Sequence, residues 1–150
     1  MKKTAKGFTL IEILVVIGII AILAGIVLVA INPARQFGQA NNSQRTSNVN
    51  AILNAVGQYL SDNKGQLPPG LASLAAESTS TISSAGVDLC TSLVPTYLPA
   101  LPVDPTVTTG AVTSCGAYTT GYSVIKDSNG RITVLATTTD IGAPYIKVTR

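Results

Sequence analysis

The sequence predicts an α+β chain in which a long N-terminal α-helix, a transmembrane half followed by an amphipathic half, packs on a small C-terminal antiparallel β-sheet. Three observations carry that prediction. An apolar run from Phe8 to Ile31 is broken by a single charge, Glu12; an amphipathic helical period resumes after Pro33; and β-type runs flank an Asn-Gly turn beyond Ala117. These patterns divide the chain into a leader at 1–7, an apolar helix at 8–31, its amphipathic continuation at 32–63, a loop-rich region at 64–116 and an antiparallel sheet at 117–150.

The 24 residues of the apolar run would make about 36 Å of helix. That is enough to cross a hydrocarbon core of about 30 Å. The run exceeds the 7–15 apolar residues usual in a cleaved secretory signal, and Asn32-Pro33-Ala34-Arg35 is a poor small-residue cleavage site, so the segment is predicted to be retained. A carboxylate inside such a helix costs roughly 2.5 to 3.5 kcal/mol at the bilayer centre and less near an end. Glu12 therefore needs a reason. As an ordinary anchor residue it would snorkel to the interface; as a functional one it needs a partner cation. Gly18 and Gly25 lie seven apart on nearly one face, either allowing a neighbouring helix to approach closely or serving as ordinary membrane-helix glycines.

Beyond Pro33, Val49, Ile52, Leu53, Val56, Tyr59 and Leu60 recur at steps of three and four, with Phe37 and Ala40 extending the stripe upward. The helix is expected to end near Asn63-Lys64-Gly65. Were it near-continuous from Phe8 to Asp62, it would be about 80 Å long. Pro68-Pro69-Gly70, a Ser/Thr tract at 78–84 and prolines at 95, 99, 102 and 105 argue against long regular elements in the next region. A short helix fits 71–77, and Leu93 to Leu101 suits a segment pinned on a core. Tyr118 to Ile125 and Ile132 to Leu135 around Asp127-Ser128-Asn129-Gly130 predict a hairpin, and Tyr145 to Val148 a third strand.

Charge and composition exclude much. The net charge is +3, but Lys2, Lys3 and Lys6 precede Gly7, and removing them leaves seven basic and seven acidic side chains. The basic character belongs to the leader, where lysines hold that end in the cytoplasm and deliver the remainder outside. With no His, few clustered carboxylates and two cysteines on the exported side, a tethered enzyme has no catalytic set to nominate. Asp127 and Arg131 read as solvated turn residues. Cys90 and Cys115 either pair, closing a loop of about 25 residues worth about 3 kcal/mol, or remain buried thiols; the oxidising compartment favours the disulfide.

The basic leader ending in Gly7, then Phe8-Thr9-Leu10-Ile11-Glu12 and an apolar helix, resembles the class III signal of type IV pilins and the related pseudopilins of type II secretion. The amphipathic continuation, the cysteine loop and the C-terminal sheet are similar to the pilin ladle fold. The resemblance implies a structural subunit without cofactor or catalytic residues. A membrane prepilin peptidase and N-methyltransferase would cut between Gly7 and Phe8 and methylate Phe8. Glu12, five places into the mature chain, would then pair with a neighbouring subunit's N-terminal amine.

The implied partners are copies of itself and related pilins, an inner-membrane assembly platform, and the prokaryotic cytoplasmic membrane before assembly. The mature form would lie in an extracellular or periplasmic filament. Three alternatives accompany it: a secretion pseudopilin, a calcium-binding head and a DNA-uptake pilin. Leu101-Pro102-Val103-Asp104-Pro105 is similar to a segment of major pseudopilins, which often bind calcium; Asp104, Asp127 and Asp140 are too scattered in sequence to nominate such a site. A DNA-uptake pilin would use Lys64, Lys126, Arg131, Lys147 and Arg150 as a phosphate patch, against the plainer reading of scattered solubility charges.

Overall fold

The computed structural model describes residues 7–150, so the leader lysines lie outside the described residues. The chain divides into two compact units, one ending at Phe37 and the other spanning Gly38–Arg150, called the head below.

In the first unit, α1 (Leu10–Ile31) has 22 residues, none of them buried. It stops at Asn32, whose φ of 46° and ψ of 79° place it in the left-handed region that Asn tolerates. Asn32 then opens α2 (Pro33–Asp62): its carbonyl accepts the amides of Arg35 (3.1 Å) and Gln36 (3.4 Å), and its side-chain oxygen also accepts Arg35 N–H (3.3 Å). Pro33 follows at the first helical position, where its missing N–H costs nothing. Of the two sequence possibilities, a near-continuous helix from Phe8 to Asp62 or one disturbed at Pro33, the second holds: there are two helices, because Asn32 caps both. At its far end α2 closes with Lys64 at φ 55° and a bond from Gly65 N–H to the Leu60 carbonyl (2.8 Å), a Schellman closure.

The buried face of α2 carries Val49, Ile52, Leu53, Ala55 and Val56, with Tyr59 and Leu60 partly buried. Phe37 and Ala40 do not extend it; both are exposed. The stripe is continued instead by Gly38, Arg45 and Asn48, which are buried.

The sheet is a four-stranded antiparallel meander, β1 (Thr79–Ser83), β2 (Thr119–Lys126), β3 (Ile132–Ala136) and β4 (Ile146–Thr149), in the order β1-β2-β3-β4. Strand β1 arises from the Ser/Thr tract, so the sheet gains a fourth strand where composition alone suggested loop. Threonine suits a half-buried pleated surface, and pairing of Thr79 with Ile125 and Thr81 with Ser123 supplies the packing that decides it. The β2–β3 hairpin turns through Asp127–Arg131 with Gly130 at φ 82°, a loop whose amides from Asn129 (2.9 Å) and Arg131 (2.7 Å) donate to Asp127 Oδ1. Arg131 Nε returns to Asp127 Oδ2 at 2.7 Å.

Residues 64–116 hold two short helices, α3 (Pro69–Ala72) and α4 (Cys90–Leu93), but supply much of the core. Leu71, Ile82, Val87, Leu89, Cys90, Leu93, Leu101 and Val112 join the α2 stripe and Tyr122, Val124, Ile132, Val134 and Ala136 of the sheet in one cluster. Cys90 and Cys115 are bonded, with Cα atoms 5.4 Å apart. The disulfide thus ties together a region that itself contributes to the core, and Cys90 is fully buried. Beside it, the Tyr118 hydroxyl accepts the Leu89 and Cys90 amides (3.1 and 3.2 Å) and donates to Asp88 Oδ1 (2.7 Å). Burial, and then the Asp88 carboxylate, push the Tyr118 phenol up to about 12.

One polar cluster crosses this apolar interior. The Arg45 guanidinium grips Asp104 through Nε–Oδ2 (2.7 Å) and Nη2–Oδ1 (3.1 Å), while Nη1 reaches Asp140 Oδ2 (2.7 Å) and Asn42 Oδ1 (2.9 Å). Arg45 and Asp104 are both 1% exposed. Asp104 also accepts the Thr106 amide and hydroxyl (2.9 and 2.6 Å), and its seat exists because Gly121, at φ 78° inside β2, has no Cβ; one would lie 2.9 Å from the Asp104 Cβ. Asp140 is held besides by Asn41 Nδ2 (3.0 Å), and Asn42 exchanges two bonds with its backbone (2.8 and 3.0 Å). Burial alone would raise the Asp104 carboxyl, but the bonds from Arg45 and Thr106 hold it below the ordinary carboxylate range. The Arg45 bond, then Asn41, does the same for Asp140.

Two outcomes follow from this packing. Replacing both cysteines by alanine should lower head stability by about 3 kcal/mol, measured by chemical denaturation of the oxidised and double-variant chains. Asp104→Asn leaves the Arg45 charge buried without its main partner and should cost about 3 to 5 kcal/mol at neutral pH. Because both carboxyls titrate lower in the folded than in the unfolded chain, their stabilisation is present above the unfolded Asp range near ~3.9 and is lost as pH falls through the folded values. The gap between wild type and Asp104→Asn, read by thermal melts, should therefore narrow in acid.

Candidate functional site: the start of the apolar helix

The segment Thr9-Leu10-Ile11-Glu12 folds as a capping box. Thr9, extended at φ −83° and ψ 150°, is the N-cap of α1, and its Oγ1 accepts Glu12 N–H at 3.3 Å. Glu12 Oε2 reaches back to accept the Thr9 amide (2.8 Å) and the Thr9 hydroxyl (2.7 Å). The reciprocal pair satisfies two of the amides that every helix start leaves unpaired and places a negative charge at the positive end of the helix dipole. This local role for Glu12 escaped the sequence reading, although Thr-x-x-Glu ahead of an apolar run is its recognised signature.

Gly7 and Phe8 precede the helix in non-helical backbone, and Phe8 is 84% exposed. A processing enzyme would meet an accessible, non-helical bond there. Among the described residues α1 is the one helix long and apolar enough to cross a membrane, and Glu12 is its sole ionisable side chain. Every large apolar side chain of α1 is at least half exposed, so within its own chain the helix buries none of them. Lipid or other apolar helices must supply that contact. Gly18 and Gly25 are likewise open, with no atom within 4 Å of where a Cβ would stand.

The other nominated residues are placed differently. Tertiary structure does bring Asp104 and Asp140 together, but around the Arg45 guanidinium, while Asp127 is engaged at the hairpin with Arg131. The two carboxylates that could have contributed to a cation site thus already share a cation. Arg45 was missed because it sits in polar sequence. Its phase was the available signal: four residues before Val49 and seven before Ile52, it belongs to the buried stripe, and a buried guanidinium demands carboxylates.

The basic residues do not make one surface. Lys126 pairs in register with Ile132 and Lys147 with Leu135, three residues apart on β3, so the two lysines leave opposite faces of the sheet. Lys126 Nζ donates to the carbonyls of Leu71 and Ala72 (3.3 and 3.1 Å), Arg131 is paired with Asp127, and Arg150 bonds Asn54. A patch built from Lys126, Arg131 and Lys147 is therefore not formed.

Residues 2–28 match the family description "Prokaryotic N-terminal methylation motif", which covers the basic leader, the Gly7–Phe8 bond and most of α1. The chain is also similar to the type IV wide pilus major component PilA4 of Thermus thermophilus, with 37% identity over 93 residues covering 57% of this chain and 70% of that protein. No solved structure matches it. A methylation motif opening onto an unpacked apolar helix, an α+β head, and similarity over most of a pilus subunit together place this chain in the type IV pilin family, as a structural subunit and not an enzyme.

Proposed function

We propose that the chain is made as a prepilin anchored in the prokaryotic cytoplasmic membrane by 8–31, N-terminus inside. It is then cut between Gly7 and Phe8, N-methylated at Phe8, and polymerised through this helix into a surface filament. The observation that carries the reading is α1: 22 residues with no buried side chain, opening on a capped carboxylate. Cleavage creates an ammonium at Phe8 just before the Thr9 cap. In a low-dielectric helix bundle that cation and the Glu12 carboxylate of a neighbouring subunit are far better paired than apart. Moving from lipid into such a bundle gains little hydrophobic energy, so close packing and the charge pair set the register. The implied partners are further copies of the chain, a membrane peptidase that also methylates, and an inner-membrane assembly platform.

A pilus role is favoured over a type II secretion pseudopilin because the similar protein is a pilus component. The Leu101–Pro105 stretch, which leaned the other way, is accounted for by the head itself: Leu101 is buried in the core and Asp104 answers Arg45.

Mass spectrometry of material sheared from cells should find a chain beginning at N-methyl-Phe8. A polypeptide still beginning at Met1 and confined to membranes would overturn the proposal. Capping and charge are separable at Glu12. Glu12→Gln can keep the capping box but not the ion pair. It should leave processing intact and weaken polymerisation more than about a hundredfold, as loss of about 3 kcal/mol or more per contact requires. Thr9→Ala, which removes the cap and keeps the charge, should still yield filaments. Wild-type filament yield from Glu12→Gln, counted by electron microscopy, would sink the ion-pair role.

A further inference from the structure

The Cys90–Cys115 bond joins two sulfurs in unequal surroundings. Cys90 opens α4 and is fully buried among the core side chains. Cys115 is only partly buried, and a solvent-open depression of about 200 Å³ lies beside it, bordered by Ser114, Ala117 and Tyr118. Charge is unequal too. Asp88 Oδ1 accepts the Cys90 amide at 2.9 Å, whereas the segment 106–117 holds no ionisable side chain apart from Cys115 itself. An approaching thiolate meets a carboxylate near one sulfur and open, neutral surface near the other.

Contacts other than the disulfide hold both ends in place. Tyr118, three residues beyond Cys115, sends its hydroxyl to the far end of the loop, where it accepts the Leu89 and Cys90 amides and donates to Asp88. Asp88 also accepts the Thr91 hydroxyl (2.9 Å). The Tyr118 backbone is fixed in turn beside the end of β1: its carbonyl accepts the Ser84 amide (3.1 Å) and its amide donates to Ser84 Oγ (3.2 Å). One phenol thus bridges the two cysteine-bearing segments, and none of these bonds requires the sulfurs to be joined.

We propose that Cys115 is the sulfur through which the disulfide is made and opened, that Cys90 closes it, and that Tyr118 and Asp88 are positioning residues holding the two thiols together in the reduced head. The oxidant is an external disulfide. The Cys115 thiol loses its proton to solvent and its thiolate attacks one sulfur of the oxidant, releasing one external thiolate. Cys90, deprotonated in turn, attacks the Cys115 sulfur of this mixed disulfide, forms the Cys90–Cys115 bond and releases the second external thiolate. Two protein thiols are oxidised by two electrons, and the external disulfide is reduced to two thiols. Reduction runs the same steps backwards, so the sulfur that a thiolate reaches in the closed head is also the one that carries the reagent during closure. Closing a loop with a sequence separation of 25 corresponds to about a hundredfold higher effective thiol concentration in the folded reduced head than in the denatured chain. The proposal concerns the head alone and does not rest on the filament reading.

The test equilibrates the full chain in detergent micelles with mixtures of reduced and oxidised glutathione, with and without urea. Thiols are trapped by alkylation and counted by mass. The effective concentration should be about a hundredfold higher without urea; a reduced wild-type chain with no such gain would overturn closure on a preformed head. Tyr118→Phe should lower the folded value about tenfold and Asp88→Asn about threefold, as loss or weakening of a hydrogen bond to a charged group requires. Val134→Ala, a core change on β3, should lower the melting temperature of oxidised and reduced chains alike and leave the effective concentration unchanged. Tyr118→Phe behaving in that second way would overturn the positioning role, and Asp88→Asn carries the same comparison if the reduced Tyr118→Phe chain does not fold. Single-cysteine chains read the order. With oxidised glutathione, Cys90→Ser should form the mixed disulfide at Cys115 at least about tenfold faster than Cys115→Ser forms it at Cys90. Equal rates, or a faster reaction at Cys90, would overturn the assignment of Cys115.

Discussion

A guanidinium taken out of water has to be answered by carboxylates, and in this head the obligation falls on Arg45. Its two partners come from far along the chain, Asp104 before β2 and Asp140 after β3, so satisfying one side chain of α2 fixes two connections at once. Gly121 makes room for Asp104, Thr106 completes its bonds, and Asn41 and Asn42 hold the side chain and backbone of Asp140. A well-packed apolar substitute of similar volume would often be as stable. What the buried pair adds is register: neither connection can slide along α2 without stranding a charge.

The two units of the chain are stabilised by different means. The head closes its own core, with contributions from α2, the 64–116 region and the sheet, and staples the middle contribution with Cys90–Cys115. The apolar helix closes nothing. Its hydrogen bonds are internal and its start is capped by Thr9 and Glu12, so it is a complete helix awaiting a solvent or partners. That division suits the proposed prepilin, which would leave lipid for a polymer: its apolar helix carries its own secondary structure and would borrow all of its packing.

Legibility in the sequence followed the range of the interactions. The apolar helix, the amphipathic stripe and the hairpin were readable because periodicity and turn chemistry act within a few residues. The break at Asn32 was partly readable: Pro33 announced a disturbance, but that Asn32 would cap both helices depended on its left-handed backbone. Strand β1 was hidden because Ser and Thr take their structure from the strand beside them. Phe37 and Ala40 matched the helical phase yet stay exposed, while Gly38 and the polar Arg45 and Asn48 are buried. Hydrophobicity alone could not foresee that the stripe turns polar there.

By itself, then, the sequence determined the membrane-length helix, its lone carboxylate, the glycine ahead of Phe8 and the α+β class, because each is a local property of composition, spacing or charge. Only the tertiary structure decided that Glu12 is held by Thr9, that the 64–116 region is part of the core, that Asp104 and Asp140 converge on Arg45, and that Ile141, left-handed in the β3–β4 turn, packs against the bare Gly38 of α2. Those outcomes depend on which groups meet, and a buried charge, a missing Cβ and a closed hydrogen bond have no signature until the chain has folded around them.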